Sequence, residues 1–161
     1  MNRTVAQTTS VIVFATVFAL SVVPGARAGE RRECTDASLK GSFGFSATGT
    51  LLALPPGFAG PFAEVGRQTF DGRGNTDGTA TLSANGNIVK GVTVQGTYMV
   101  NADCTGSMTI FILPFAATAV LDFVIDDDGT ELRAISIPPA NITGNTETRI
   151  YKKQFQRGRK E

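Results

Sequence analysis

The sequence of 161 residues contains no histidine. Histidine is the commonest general base near neutral pH and a common zinc ligand, so most serine-hydrolase and zinc chemistry lacks a candidate residue. Any chemistry has to come from carboxylates, tyrosines or arginines. The polar side chains of interest are those that sit on largely apolar faces of predicted strands. They are Glu64, Arg67 and Tyr98.

These three residues are the candidate ligand-binding groups. Glu64 shares a strand face with Phe62 and Phe70, while Arg67 lies on the opposite face of the same strand. Any of these three residues that points into a barrel is one of the few polar groups that a mostly apolar pocket needs. A buried Glu64 has a raised pKa and can act as acid or base. The alternative is that Tyr98 keeps its hydroxyl at the rim, and that Glu64 and Arg67 form a solvent-exposed cross-strand pair.

Acidic and glycine-rich segments predict turns rather than metal or phosphate sites. The run 126–129 reads Asp-Asp-Asp-Gly and Glu131 follows, but the spacing of a calcium loop is incomplete. An Asp-Gly turn is the better interpretation. The glycine-rich stretches precede no predicted helix, so they do not supply the amides of a phosphate-binding loop. We therefore expect no metal and no cofactor.

The elements that must position the candidates are short strands separated by glycine turns. Apolar and polar residues alternate with a period of two, which is typical of half-buried strands. Asn85-Gly86 is a strong two-residue hairpin signal. A turn of helix is predicted around Asp36 to Leu39. The predicted strands span 41–52, 62–70, 78–84, 88–100, 105–115, 118–126, 131–137 and 146–155.

Eight strands joined mostly by short turns predict an all-β fold with consecutive antiparallel pairing. An eight-stranded antiparallel up-and-down barrel removes the exposed edges, and its interior suits side chains or one small ligand. A two-sheet β-sandwich is the alternative. Glycines inside strands, at 44, 66 and 96, fit sharp bends at barrel corners or bulges.

The ends of the chain predict export. Arg3 precedes an apolar stretch over 11–23, and Ala26-Arg27-Ala28 fits a signal-peptidase site. The stretch is shorter than the roughly 20 residues of a membrane-spanning helix, so no membrane span is expected after cleavage; a retained anchor or a core helix is the alternative. The predicted organisation is a signal peptide over 1–28, a lead-in over 29–40, a barrel domain over 41–155 and a basic tail over 156–161. The predicted location is secreted or periplasmic.

The net charge and the two cysteines limit the partners and the covalent structure that the sequence predicts. The whole chain carries +1, from 15 basic and 14 acidic residues, and loss of Arg3 and Arg27 with the leader leaves 13 against 14. Such a domain gives no electrostatic argument for nucleic acid. The basic residues near the C-terminus suit either an anionic surface or a solvated, frayed end. In an oxidising compartment the two cysteines, Cys34 and Cys104, are expected to form one disulfide.

Several segments carry a family resemblance. They are Cys34 with the run 41–45, the run 66–75, the segment from 96 to 106 that contains Cys104, and the run 127–129. Together they resemble a group of small exported bacterial β-barrel proteins, a likeness that covers most of 34–130 and implies no particular activity. In predicted shape the chain is also similar to the allene oxide cyclase and dirigent barrels, which need no cofactor and hold apolar substrates. Their functional residues do not match this sequence one by one, so that likeness assigns no site.

These features predict an exported β-barrel that binds a small apolar molecule or serves as a stable extracellular module. One alternative is a cofactor-free cyclase or isomerase that acts in the barrel, with Glu64 or Tyr98 as its polar anchor. Another alternative is a structural or adhesive surface protein. A homo-oligomer is compatible with each of these hypotheses. The barrel lumen discriminates among these hypotheses, because a fully packed lumen leaves no room for a ligand.

Overall fold

The structure, a computed structural model, describes residues 33–52, 57–113, 115–137 and 145–154. The predicted signal peptide over 1–28 and the basic tail over 156–161 lie outside the described residues. Among the residues that are described, no helix is long and apolar enough to cross a membrane.

The described residues contain eight strands, which correspond one to one to the eight predicted strands. A single 3₁₀ helix at Asp36–Leu39 precedes them, and another short one, Asp127–Gly129, joins the sixth strand to the seventh. The strands are β1 (Gly41–Leu51), β2 (Gly60–Phe70), β3 (Asn75–Ala84), β4 (Asn87–Val100), β5 (Thr105–Leu113), β6 (Ala117–Asp126), β7 (Glu131–Ser136) and β8 (Asn145–Lys153).

The strands form a closed barrel in the order of the chain. Each strand pairs antiparallel with the next, and β8 pairs antiparallel with β1 from Phe43↔Lys153 to Leu51↔Asn145. The predicted up-and-down barrel is confirmed, and the sandwich alternative is wrong, because closure of β8 on β1 leaves one continuous sheet. Tight turns make this order accessible: Asn85 and Gly86 have φ values of 45° and 86°, as the predicted hairpin requires.

Half of the lumen is filled with large apolar side chains. Phe70 makes edge-to-face contacts with Phe43 and Tyr98, with ring centroids 5.4 and 5.2 Å apart. Edge-to-face pairs of this kind add roughly 0.5–1.5 kcal/mol beyond the area they bury. Met108, Ile110, Leu121 and Leu132 complete this packing, and each is 1% exposed or less.

The lead-in segment covers this filled end of the barrel. Leu39 of the 3₁₀ helix is fully buried, and Asp36 accepts a hydrogen bond from the backbone amide of Val100 at 2.8 Å. Cys34 and Cys104 are joined in the predicted disulfide, with Cα atoms 5.0 Å apart. Residues 33–40, the described part of the lead-in, therefore pack against the barrel core.

Of the three glycines that the sequence predicts at bends or bulges, Gly66 and Gly96 allow neighbouring backbones to approach closely. A Cβ atom on Gly66 would collide with the backbone of β3 near Thr79, and one on Gly96 would collide with the carbonyl of Thr109 on β5. Gly44 differs, since its Cβ would meet only the Gln154 side chain, at 3.5 Å. None of these three glycines interrupts the pairing of its strand with a neighbour. The pairing of β3 with β4 does shift register, between Ala80 and Thr81.

We predict that Gly96→Ala destabilises the barrel by about 1–3 kcal/mol, because the added methyl group overpacks the β4–β5 contact. The matched control is Gly44→Ala, which should be neutral or should stabilise by up to about 0.5–1 kcal/mol, since alanine loses less backbone freedom than glycine in a strand. Urea unfolding of the two variants beside the parent protein measures both effects. Equal stability of the two variants would contradict the close-approach interpretation.

Candidate functional site

The inward face of β8 is polar, which is unusual for a strand that lines a filled barrel. Glu147, Arg149 and Tyr151 all point into the lumen, and their side chains are 4% exposed or less. The start of β8 is held by Ser136 of β7, whose hydroxyl accepts a hydrogen bond from the Glu147 amide (2.9 Å) and donates one to the Asn145 carbonyl (3.2 Å). These two hydrogen bonds hold the start of β8 against β7, next to Glu147, the first carboxylate of β8 that points into the lumen.

Arg149 is the centre of a buried ionic cluster, which we call the Arg149 cluster: Arg149, Glu64 and Glu147. Its Nη2 lies 3.0 Å from Glu64 Oε2, and its Nε donates to Glu147 Oε1. The guanidinium also lies 5.0 Å from the centroid of the Phe45 ring, a favourable cation–π position. Its Nη1 is buried and has no hydrogen-bond partner among the described residues.

The strand register explains how Arg149 on β8 reaches Glu64 on β2 across an intervening strand. Ala47 of β1 is the register partner of both Glu64 and Arg149. On the other side of Arg149, its partner on β7 is Ala134. These two small side chains leave the space in which the guanidinium lies between the strands.

The electrostatics of the cluster follow from burial and mutual attraction. Burial raises the pKa of Glu64; the Arg149 guanidinium opposes this shift, and Glu147 adds to it. Burial acts against the charge of Arg149, but Tyr151, Glu147 and Glu64 outweigh it and raise the pKa of the guanidinium. Arg149 is therefore a permanent cation, and Glu64 is a carboxyl group that holds its proton to a higher pH than usual.

A second polar network continues from this cluster toward the filled end. The Tyr151 hydroxyl donates to Gln68 Oε1 at 3.1 Å, and Gln68 Nε2 donates to Thr76 Oγ1 at 2.9 Å. Thr76 in turn donates to the carbonyl of Thr69 at 2.8 Å. Each of these buried groups has a partner, so this part of the lumen is structurally complete.

A cavity of about 40 Å³ adjoins the Arg149 cluster on the side away from the lead-in. By the same measure one water needs roughly 10–15 Å³, so the cavity can hold a small head group or a few waters. Glu64, Glu147 and Arg149 line it, together with Asn145. Its apolar lining comes from Leu51, Phe62, Leu82, Val92, Ile112, Phe115 and Ala117. We call this space the lumen cavity.

The structure separates the three candidate residues of the sequence analysis. Glu64 is 8% exposed and lines the lumen cavity. Tyr98 also points inward, but at the other end of the barrel, where its hydroxyl accepts from the Gly72 amide (2.9 Å) and donates to the Asp36 carbonyl (3.1 Å). Arg67 lies on the outer surface, so Glu64 and Arg67 do not form the solvent-exposed pair of the alternative interpretation.

Sequence reasoning missed Arg149 and Glu147, the two residues that complete the site. The outward face of β8 carries Ile150 with two threonines and Lys152, so hydropathy does not favour the face with Glu147 and Arg149 as the buried one. A signal was nevertheless present. The inward face reads Glu147, Arg149, Tyr151, which places an acid, a base and an aromatic residue at a spacing of two.

Comparison with known proteins supports the fold alone. No family model and no curated protein matches the chain. Among solved structures, the chain is similar to a redesigned β-barrel, b11L5F_LGL, with a TM-score of 0.53, 14% identity and coverage of 74% of this chain and 95% of that one. It is also similar to EF1p2_mFAP2b bound to DFHBI, with a TM-score of 0.51, 16% identity and coverage of 77% and 98%.

The raised pKa of Glu64 predicts a pH-dependent stability. Because the folded protein binds this proton more tightly than the unfolded chain does, the contribution of Glu64 is fully present at low pH. It is lost as the pH rises from the usual pKa of a glutamate to the raised one. We expect Glu64→Gln to remove this loss, which urea unfolding between about pH 4 and pH 8 measures.

Glu131→Gln is the control with the opposite sign. A hydrogen bond from Arg133 and then the ammonium of Lys152 lower the pKa of Glu131. Its contribution is therefore present above the usual pKa and is lost as the pH falls. If Glu64→Gln and Glu131→Gln change the pH profile in the same direction, the assignment of Glu64 as the group with the raised pKa is wrong.

Proposed function

We propose that the protein is an exported β-barrel that binds one small, mostly apolar molecule in the lumen cavity. The observation that carries this proposal is the composition of the cavity wall. Seven apolar side chains surround a few converging polar groups, which is the usual composition of a small-molecule site. The rest of the lumen is packed, so the cavity is the part of the interior that suits a ligand.

Two further features support the proposal. The Cys34–Cys104 disulfide fits an oxidising compartment such as the periplasm or the cell exterior, as the predicted signal peptide requires. One structure of similar fold, EF1p2_mFAP2b, is bound to DFHBI. A barrel of this kind therefore tolerates a ligand, although the likeness assigns no ligand to this chain.

The ligand in this proposal places a small head group in the cavity and an apolar remainder at its mouth. Phe115 and Ile112 line the cavity and are only partly buried. Phe58 lies next to Phe115, with ring centroids 6.3 Å apart. These side chains give an apolar tail a surface to cover as it leaves the cavity.

A cofactor-free isomerase or cyclase is the second candidate, and the environment of Glu64 favours it. Burial raises the pKa of Glu64, which suits a general acid, and the Arg149 guanidinium 3.0 Å away opposes this shift. If the protein is an enzyme, we expect Glu64→Gln to keep the bound ligand but to abolish its conversion. If it is a binding protein, both the parent and Glu64→Gln bind the ligand and leave it unchanged. Because an isomerisation leaves the mass of the ligand unchanged, the ligand is compared before and after incubation with each protein by chromatographic retention and proton NMR, which distinguish isomers.

We expect native mass spectrometry of the exported protein to show one bound small molecule and to report the number of subunits. Ala117→Leu should remove the bound mass, because the larger side chain fills the lumen cavity. The matched control is Ala63→Leu, which adds the same atoms to the exposed outer face of β2 and should keep the bound mass. Overpacking costs about 1–3 kcal/mol, so Ala117→Val is a milder version if the leucine variant unfolds.

Two outcomes would overturn the proposal. One is a parent protein that carries no small molecule after export and native purification. The other is a folded Ala117→Leu variant, verified by near-ultraviolet circular dichroism, that carries the same bound mass as the Ala63→Leu control.

A further inference from the structure

The unpaired Nη1 of Arg149 constrains the chemistry of a ligand that displaces water from the lumen cavity. A guanidinium has five N–H donors and no acceptor. Nε faces Glu147 and Nη2 faces Glu64, which leaves the two N–H groups of Nη1 without a partner among the described residues. An unmet donor on a buried charged group is costly, and Arg149 is only 2% exposed and lines the lumen cavity. What occupies the cavity should therefore present a hydrogen-bond acceptor.

The charges around the cavity exclude an anionic ligand. One guanidinium faces two carboxyl groups, so the cluster is neutral when Glu64 keeps its proton and carries one negative charge when it does not. A carboxylate ligand would place a third acid against a single cation in a buried space, where unbalanced charge is costly. Tyr151, the other titratable group in contact with the cluster, stays neutral because burial raises its pKa.

A cationic ligand does not satisfy the free donors of Nη1. An ammonium group is a donor without a lone pair, so it leaves Nη1 unpaired and places a second positive charge beside the guanidinium. A pure hydrocarbon fits the apolar wall but also leaves Nη1 unpaired. An uncharged molecule with an exposed oxygen acceptor satisfies both the donor and the charge balance.

Building on the proposed function, we infer that the ligand is a small uncharged carbonyl compound, such as a ketone or an ester, whose oxygen accepts a hydrogen bond from Arg149 Nη1. A carbonyl oxygen has two lone pairs and is compact enough for the cavity of about 40 Å³. The alkyl part lies along the apolar wall, from Val92 and Leu82 toward Phe115. Arg149 is the residue that selects the ligand, and the apolar wall supplies the remaining affinity.

The experiment compares four probes that have the same number of carbon atoms: methyl propyl ketone, pentanoate, pentylammonium and pentane. Binding is followed by chemical-shift titration of the backbone amides of Leu82 and Val92 and of the Nε–H of Arg149. We expect the ketone to bind at least about tenfold more tightly than the other three probes, because it alone completes a charge-assisted hydrogen bond. The Nε–H resonance of Arg149 should shift with the ketone and not with pentane.

Arg149→Lys tests the assignment to Nη1, and Arg67→Lys is the matched control on the outer surface. Lysine keeps the charge but lacks the fork of donors, so we expect Arg149→Lys to lose the preference for the ketone by about tenfold or more. Arg67→Lys should keep it. Should Arg149→Lys not fold, the ratio of ketone to pentane affinity in the parent protein decides the question.

The outcomes separate the inference from the proposed function. Pentanoate or pentane binding as tightly as the ketone overturns the inference and leaves the lumen as a binding site. An Arg149→Lys variant that keeps the ketone preference also overturns it. If none of the four probes shifts the resonances of Leu82 and Val92, the inference is overturned, and the proposed function is decided separately by the bound mass in native mass spectrometry.

Discussion

The positive charge of Arg149 lies inside a closed barrel, where bulk water cannot solvate it. Removing such a charge from water costs several kcal/mol even after the protein relaxes, so neighbouring groups must replace the lost hydration. Here Glu147 on the same strand, Glu64 two strands away and the face of Phe45 do so. This requirement constrains the register of β8 on β1, because a slip by one residue would turn the guanidinium outward and bring Ile150 into the lumen.

The constraint also explains which small residues surround the cluster. Ala47 is opposite both Glu64 and Arg149, and a larger side chain there would occupy the space through which the ion pair forms. The other half of the lumen follows a different principle. Phe43, Phe70 and their aliphatic neighbours fill it, and Leu39 of the lead-in covers its end, so hydrophobic burial supplies the stability there. One half of the barrel is specified by charge pairing and the other by packing.

Much of this arrangement follows from local patterns. The period of two and the glycine turns predicted the number and order of the strands, and the bounds of all eight agree within three residues. The prediction for β5 extended to 115, whereas the strand ends at Leu113. The inward orientation of Glu64 also follows from alternation, since Phe62 and Phe70 share its face. The burial of Glu147 and Arg149 on the inward face of β8 could not be predicted in this way, because hydropathy alone does not favour burial of a glutamate and an arginine.

The sequence by itself determined the all-β class, the strand order and the two cysteines available for pairing, because alternation and turn chemistry act between residues that are close along the chain. The absence of histidine limited the available chemistry in the same direct way. Only the tertiary structure decided that Glu64 meets Arg149, that Tyr98 is engaged at the opposite end and that Arg67 faces outward. Those outcomes depend on the register of β1 with β2 and β8, and contacts across a closed barrel join residues more than 80 positions apart, as between Tyr151 and Gln68, whose sequence separation is 83.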